Sequence, residues 1–372
     1  MKAIGIILAG GNNNRMKELT AKRAVPALPV AGSFRAIDFS LSSMSNSHIQ
    51  TVAILTQYNA RSLNEHLSSS KWWNFGRKQG GLFLFTPTVT ADNSDWYRGT
   101  ADAMYQNIDF LKRRHEPYVI ISSGDCVYKL DFNRVLDFHI EKKSDITVVC
   151  KDMMYNDDVS RFGVVRMDDE SRITEFDEKP IDASSNTIST GIYVIRRRQL
   201  IELLEAAAEE NRFDFVNDIL VRYKNVKKIY GYKINSYWNN IADIDAYFKT
   251  NMDFLRPDVR SYFFKEEPTI CSKVDDLPPA KFNPGSDISN SLVSSGCIIN
   301  GSVEDSVLFK QVFVGKNTTV KNCVILNDVY IGDNVHLENC IVESRGTINP
   351  NTCYCGEDGV MIVKEKNVRY VI

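Results

Sequence analysis

Hydrophobic positions along the first 250 residues alternate between two periods. Apolar, β-rich runs occur at "KAIGIIL", "TVAILTQ", "PYVIISS", "DITVVCK" and "TGIYVI". Helical patterns fall between them, as in "TADAMYQNIDFLKRR", "FNRVLDFHIEKK" and "LIELLEAAAEE". Strands alternating with helices of that length predict βαβ units and a mostly parallel sheet, an α/β fold. "FGVVRMDDESRITEFDEKP" breaks the scheme, because two short apolar runs flank an acidic turn, and it predicts a hairpin. A last helical stretch, "DIDAYFKTNMDFL", closes a domain spanning 1–255.

Residues 256–287 are proline-rich and show little periodicity, so they read as a linker. Over 288–372 the helical period vanishes. Apolar residues now recur every six positions, at Leu308, Val314 and Val320 and again at Ile325, Ile331 and Leu337. Val314-Gly315-Lys316-Asn317 and Ile331-Gly332-Asp333-Asn334 echo each other 17 residues apart. A six-residue period predicts a β-helix of short strands with stacked inward aliphatics. Gly and Asn are expected at corners that need φ > 0. A sandwich of short strands is the competing arrangement.

Composition narrows the function classes. The chain of 372 residues is 43% hydrophobic and 25% charged, ordinary for a globular protein, and is long enough for two or three cores. A formal charge of −2 argues against a nucleic-acid partner. No apolar run reaches the roughly 18 residues of a membrane span, and "MKAIGIILAG" lacks a signal-peptide cleavage site, so the expected location is cytoplasmic, with no membrane partner. The eight cysteines suggest no disulfide framework. Cys353 and Cys355 form a C-x-C with no second pair to complete a zinc site, and read as incidental thiols.

Three stretches carry candidate chemistry. "LAGGNNNRMKEL" follows the first strand and leads into Arg15, Lys17, Lys22 and Arg23. Backbone N–H groups of such a loop, with an arginine, bind polyphosphate, although an ordinary tight turn has the same look. "ISSGDCVY" puts Asp125 just after a buried strand, where ligands of open α/β sheets collect and where a carboxylate suits Mg²⁺; a helix cap is the plainer role. "EFDEKP" offers Glu178 and Lys179 at the hairpin's exit, the lysine either facing a sugar phosphate or simply solvated.

Taken in order, "LAGG", "RAVPA", "FRAIDFSLSSMSNSHI", "LTQYNARSLNEHL", "WYRGTADAMYQN", "SGDCVYKLDF", "SRFGVV", "EFDEKP" and "STGIYV" resemble the ADP-glucose pyrophosphorylase (glucose-1-phosphate adenylyltransferase) family over essentially the whole chain. The resemblance implies a Rossmann-like nucleotidyltransferase domain followed by a left-handed parallel β-helix. It implies Mg²⁺-dependent conversion of ATP and glucose 1-phosphate to ADP-glucose and pyrophosphate, in glycogen synthesis. By that resemblance Arg15 lies near the phosphates, Gln57 beside the adenine with Gly99 and Thr100 in the substrate-binding set, and Asp125 binds the metal. Glu178 and Lys179 contact the glucose phosphate, with Ser189 and Gly191 nearby.

Departures from the family pattern cluster on the same site. Asn13 stands where the loop's inner glycine belongs and Val25 where a phosphate-facing lysine belongs. Ser33 replaces a lysine, Cys126 a histidine, and Asn240 the aspartate that serves as second metal ligand. Losing one well-placed electrostatic group costs roughly 10²–10³ in rate. The pattern resembles the non-catalytic companion subunit of bacterial glycogen synthesis, so the expected partner is a catalytic paralogue in a hetero-oligomer, a heterotetramer, with allosteric tuning as the role. Retained binding of ATP, ADP-glucose or glucose 1-phosphate is open on the sequence, and Mg²⁺ binding is expected to be weak. An active enzyme working on its own is the alternative. A hexapeptide acyltransferase would need a catalytic histidine; His336 is the tail's sole candidate, and the α/β half would go unexplained.

Overall fold

A computed structural model describes residues 2–11, 14–76, 80–88, 95–154 and 157–364. The α/β half is built on a nine-stranded sheet. Its strands are β1 (Ala3–Leu8), β2 (Thr51–Leu55), β3 (Gly81–Phe85) and β4 (Tyr118–Ser123), then, beyond the short off-sheet strand β5 (Cys126–Tyr128), β6 (Ile146–Asp152), β7 (Gly163–Met167), β8 (Ile173–Glu178), β9 (Thr187–Arg196) and β10 (Ile229–Lys233). The order runs β8-β7-β9-β4-β1-β2-β3, with β6 also on β9 and β10 on β6. β3, β2, β1 and β4 are mutually parallel, as the βαβ pattern predicts. β9 runs antiparallel to both β4 and β6, and β7 and β8 form the expected hairpin.

Alternation along the strands loads both faces of the sheet. Ala3 and Ile7 of β1 join one buried cluster while Ile4 and Ile6 join the other. Helices α1 (Ala36–Asn46), α2 (Thr100–Tyr105), α3 (Phe132–Glu141), α4 (Arg197–Glu209), α5 (Ile244–Asp253) and α6 (Pro257–Phe264) cover the faces and lead out of the domain. The long helical pattern from Thr100 breaks after Tyr105 and resumes at Ile108. Asn107 explains the break: its side-chain amide donates to Ala103 O at 2.9 Å and to the Tyr97 hydroxyl at 3.0 Å, competing with the helical ladder.

Segment 256–287, expected to be a linker, holds α6 and the first β-helix strand at Lys281–Phe282. Pro257 starts α6 with φ preset, and Phe263, fully buried, packs edge-on to Phe39 at 5.3 Å. Phe264 stacks on Phe34 at 4.5 Å. The chain then runs back along α1. There the Ser42 hydroxyl accepts from Cys271 N at 2.9 Å, and Trp73 Nε1 donates to Cys271 O at 3.1 Å. The stretch is therefore pinned along its length.

Beyond it stand three five-stranded parallel sheets made of two- and three-residue strands, the layout of a β-helix. From Leu308 to Val342 each coil takes 17 residues, aligning Leu308 with Ile325 and Val342, and Val314 with Ile331 and Ile348, and the last turn, from Val342 to Val363, takes 21. The six-spaced residues Leu308, Val314, Val320, Ile325, Ile331 and Leu337 are all fully buried. The corners hold a correction. Positive φ belongs to Asn317 (54°) and Asn334 (58°), not to Gly315 or Gly332. Gly315 is instead required by stacking, since a Cβ there would run into Gly332 O of the next coil. Asn317 donates to Asn334 at 3.3 Å and Asn334 to Asn351 at 3.1 Å, an amide ladder up the corner. Among the described residues no helix is long and apolar enough to cross a membrane.

Candidate active site

The site forms where the strands of the α/β sheet end. β1 delivers the chain into the Gly10–Gly11 loop, anchored by Ala9 N donating to Leu55 O at 2.8 Å. Beyond its chain neighbours, a Cβ on Gly11 would meet no atom of the described residues within 4 Å, which leaves room for phosphate contact through N–H groups. A Cβ on Gly10 would touch Gln57 Cγ at 3.4 Å. Asn13 lies outside the described residues. Arg15 is exposed at the head of the following 3₁₀ turn, and its charge is felt at Arg161 across the cleft.

Gln57 holds two loops together. Its Oε1 accepts from Tyr97 N at 3.0 Å and its Nε2 donates to Tyr97 O at 3.3 Å, so its amide is committed to the backbone of the "WYRGT" segment. Gly99 caps α2 in extended conformation, and any Cβ there would strike Phe213 O. Thr100 supplies its hydroxyl as acceptor for Phe215 N at 2.9 Å. Buried Asp102, which sequence reading did not single out, receives Arg98 N at 2.9 Å and the Arg98 guanidinium at 2.9 Å, shaping this wall.

Asp125 sits between β4 and β5, half-buried, with one carboxylate oxygen accepting from the Ser123 hydroxyl and from the Cys126 thiol at 3.5 Å. β5 pairs antiparallel with β11 (Trp238–Asn240), and the register sets Cys126 opposite Asn240. The two positions expected to share a metal are thus brought side by side by residues more than a hundred apart. Asn240 Oδ1 accepts from Ala242 N at 3.0 Å, while Nδ2 points at Cys126 Sγ at 3.4 Å. Burial first, then the neighbouring Asp125 charge, push the Cys126 thiol well above its ordinary range, so it stays neutral. The donor set here offers one carboxylate, from Asp125, and the neutral amide of Asn240.

The opposite wall comes from the hairpin and β9. Glu178 ends β8 and pairs with the exposed Lys179 ammonium at 3.1 Å; Lys179 takes φ 51° and its N–H donates to Phe162 O at 3.0 Å. β9 is irregular against β6 between Ser189 and Tyr193. Gly191 occupies that bulge at φ 75°, a left-handed conformation that favours glycine, next to Ser123 at the Asp125 turn. Ser189 is buried, its hydroxyl donating to the Tyr193 hydroxyl at 3.3 Å.

Arg161 was hidden in "SRFGVV" and is the main addition to the site. It forms an ion pair with Asp243, the N-cap of α5, and carries its charge close to Asp125 and Cys126. Burial, with Arg15 nearby, pulls Arg161 below its ordinary value, against an opposing pull from Asp158. Two altered positions behave differently. Val25 is 4% exposed in a 3₁₀ turn and belongs to the apolar cluster of Met16, Leu19 and Leu28. Ser33 is exposed away from Asp125, on a cavity of about 1060 Å³ between the domains lined also by Arg35, Lys273 and Lys310.

A glycine loop after the first strand, a strand-end aspartate and nearby arginine side chains on a mixed α/β sheet fit the nucleotidyltransferase class, and residues 4–256 match the nucleotidyl transferase family. Residues 278–362 match the GlmU-like C-terminal hexapeptide family. The chain is 38% identical over 365 residues to the glucose-1-phosphate adenylyltransferase of Geobacillus stearothermophilus, covering 97% of this chain and 94% of that protein. It is 37% identical over 322 residues to that of Bacillus subtilis (86% and 84%), and 38% over 320 residues to that of Clostridium novyi strain NT (85% and 84%). The chain belongs to the glucose-1-phosphate adenylyltransferase family.

Proposed function

We propose that this protein is a catalytically impaired, regulatory subunit of an ADP-glucose pyrophosphorylase, assembling with a catalytic paralogue in glycogen synthesis. One observation carries the reading: Asn240 stands in register opposite Cys126, beside Asp125, so the position where the family resemblance expects a second carboxylate holds an amide. Joining ATP to glucose 1-phosphate brings two anions together and releases pyrophosphate. Positioning and positive charge supply most of that catalysis. Arg15, Arg161 and Lys179 keep cationic walls on the cleft, which supports retained binding of a nucleotide or sugar phosphate. Val25 brings an apolar group where a phosphate-facing charge is expected, and Cys126 brings a neutral thiol. In this reading the two domains are 1–255 and 288–372, and the subunit acts on its partner's turnover or effector response from within a heterotetramer.

The test is pyrophosphate release by the purified chain, alone and mixed with its catalytic paralogue. The chain alone is expected to turn over at least roughly 10²-fold more slowly than the paralogue, and to change the paralogue's rate or metabolite response when mixed. Turnover by this chain alone that matches the paralogue overturns the proposal.

A second reading is an active adenylyltransferase in its own right. It is favoured by relatives named for that activity that align over 85–97% of the chain. Under it, Asp125→Ala in the assembled complex lowers total activity in proportion to this subunit's share. Under the first reading the same change leaves the complex's rate intact.

A further inference from the structure

The outer face of the β-helix carries a cluster of donor side chains that the α/β cleft does not use. Strands His336–Glu338 and Cys353–Cys355 are parallel neighbours, with His336 opposite Cys353, Leu337 opposite Tyr354 and Glu338 opposite Cys355. Leu337 is fully buried inside the coil, so alternation places His336, Glu338, Cys353 and Cys355 together on the exterior. The four form a two-by-two patch. Cys353 Sγ and Cys355 Sγ lie 3.7 Å apart, and His336 Nε2 lies 3.6 Å from Glu338 Oε2. The donor atoms of His336, Glu338 and Cys355 are all within 4.8 Å of one another.

We propose that His336, Glu338, Cys353 and Cys355 form a binding site for a thiophilic divalent cation of the zinc class, clasping the last two coils of the β-helix. Two thiolates bound tetrahedrally at about 2.3 Å from one ion are about 3.8 Å apart, close to the separation the thiols already hold. Imidazole and carboxylate complete a four-ligand set, with Cys353, which stands outside the closest three, brought in from beside Cys355 by a rotamer change. Sulfur ligands select zinc-like ions and disfavour Mg²⁺, so this site and Asp125 do not compete for one cation. The neighbouring rung does not repel the ion strongly, because Lys321 is drawn toward Glu304 at 3.4 Å. Sequence spacing conceals the site. The C-x-C has no second pair nearby, and its other two ligands come from one full coil earlier.

The experiment uses the full chain under reducing conditions, loaded with Zn²⁺, passed over a weak chelator and assayed for zinc per chain. One zinc per chain is expected. Cys355→Ser and His336→Ala should each weaken retention by about 100-fold or more, beyond the loss typical of outer-shell changes. Asp125→Ala should leave it unchanged. Co²⁺ in place of zinc should give a thiolate-to-metal charge-transfer band that Cys353→Ser diminishes. These side chains are at the surface, so the metal-free variants should unfold like the parent. The proposal is overturned by a parent chain that keeps no zinc, by variants that keep it as well as the parent, or by a cobalt form with no charge-transfer band.

Discussion

Replacing Asn240 with aspartate tests the reading of the cleft most directly. Asn240 faces Cys126 across an antiparallel pair, where opposed Cα atoms are about 5 Å apart, and Asp125 is the next residue. A carboxylate at 240 would therefore lie about 6 Å from that of Asp125. At an effective dielectric near 20 the two charges repel by about 3 kcal/mol, less after discount for partial exposure. Without metal, Asn240→Asp should be less stable than the parent by about 1–3 kcal/mol. Mg²⁺ should reverse this. At a hundredfold excess over its dissociation constant the ion adds about 2.7 kcal/mol of stability. A domain of this size gains about 2–4 °C per kcal/mol, so the magnesium-dependent rise should be about 5–10 °C. The parent, binding near half-saturation under the same conditions, should gain about 0.4 kcal/mol, or 1–2 °C. Calorimetric melts of both proteins, with Mg²⁺ and with chelator, measure the difference. If Asn240→Asp melts like the parent in both buffers, position 240 does not share a cation with Asp125, and the account of the impaired site fails.

Other consequences are open to direct measurement. His139 is buried, its Nε2 without a hydrogen-bond partner among the described residues, and burial, then the Arg196 charge, lowers its pKa to about 4 against an opposing effect of Asp145. The unfolded chain takes up that proton near pH 6.5 and the folded chain only near 4, so stability should fall by up to about 3 kcal/mol as pH drops through that window. Urea midpoints at both ends of the window would show it, and His139→Asn, which keeps a partner for Thr147, should flatten the fall. In the β-helix, Gly315→Ala places a Cβ 2.5 Å from Asp333 Oδ1 and closer still to Gly332 O. It should cost about 1–3 kcal/mol or more in a denaturant melt. Gly11→Ala meets open space, so it should change stability by less than about 0.5 kcal/mol while reducing the thermal protection given by ATP or ADP-glucose. Undiminished protection would show that the loop does not touch the ligand.

Features that rest on local spacing were legible in the sequence. β1 alternates between two faces because its side chains do, and the six-residue beat of Leu308, Val314 and Val320 reports inward positions of short strands. Misreadings arose where one residue type serves two purposes. Gly315 looks like a turn glycine but answers to the coil above it, while the left-handed corner falls to Asn317. α6 spans only eight residues, too few for a period to stand out, and its stability comes from Phe263 and Phe264 meeting distant rings. In the cleft, Asp125 and Glu178 carry family motifs. Arg161 and Asp243 meet only through folding, and nothing in their separate segments announces the pair.

The pinned segment between the domains bears on how the chain can be divided. The boundary between the two family matches falls after residue 256 and before 278, an inviting place to cut. A fragment ending at residue 256 would lose α6 and strip cover from Phe34 and Phe39, and it would leave Ser42 without Cys271 and Arg23 without Glu343. What remained would display an aromatic patch to solvent and invite aggregation. The protein is two modules by descent and a single piece by construction, and neither half can be borrowed intact for use elsewhere.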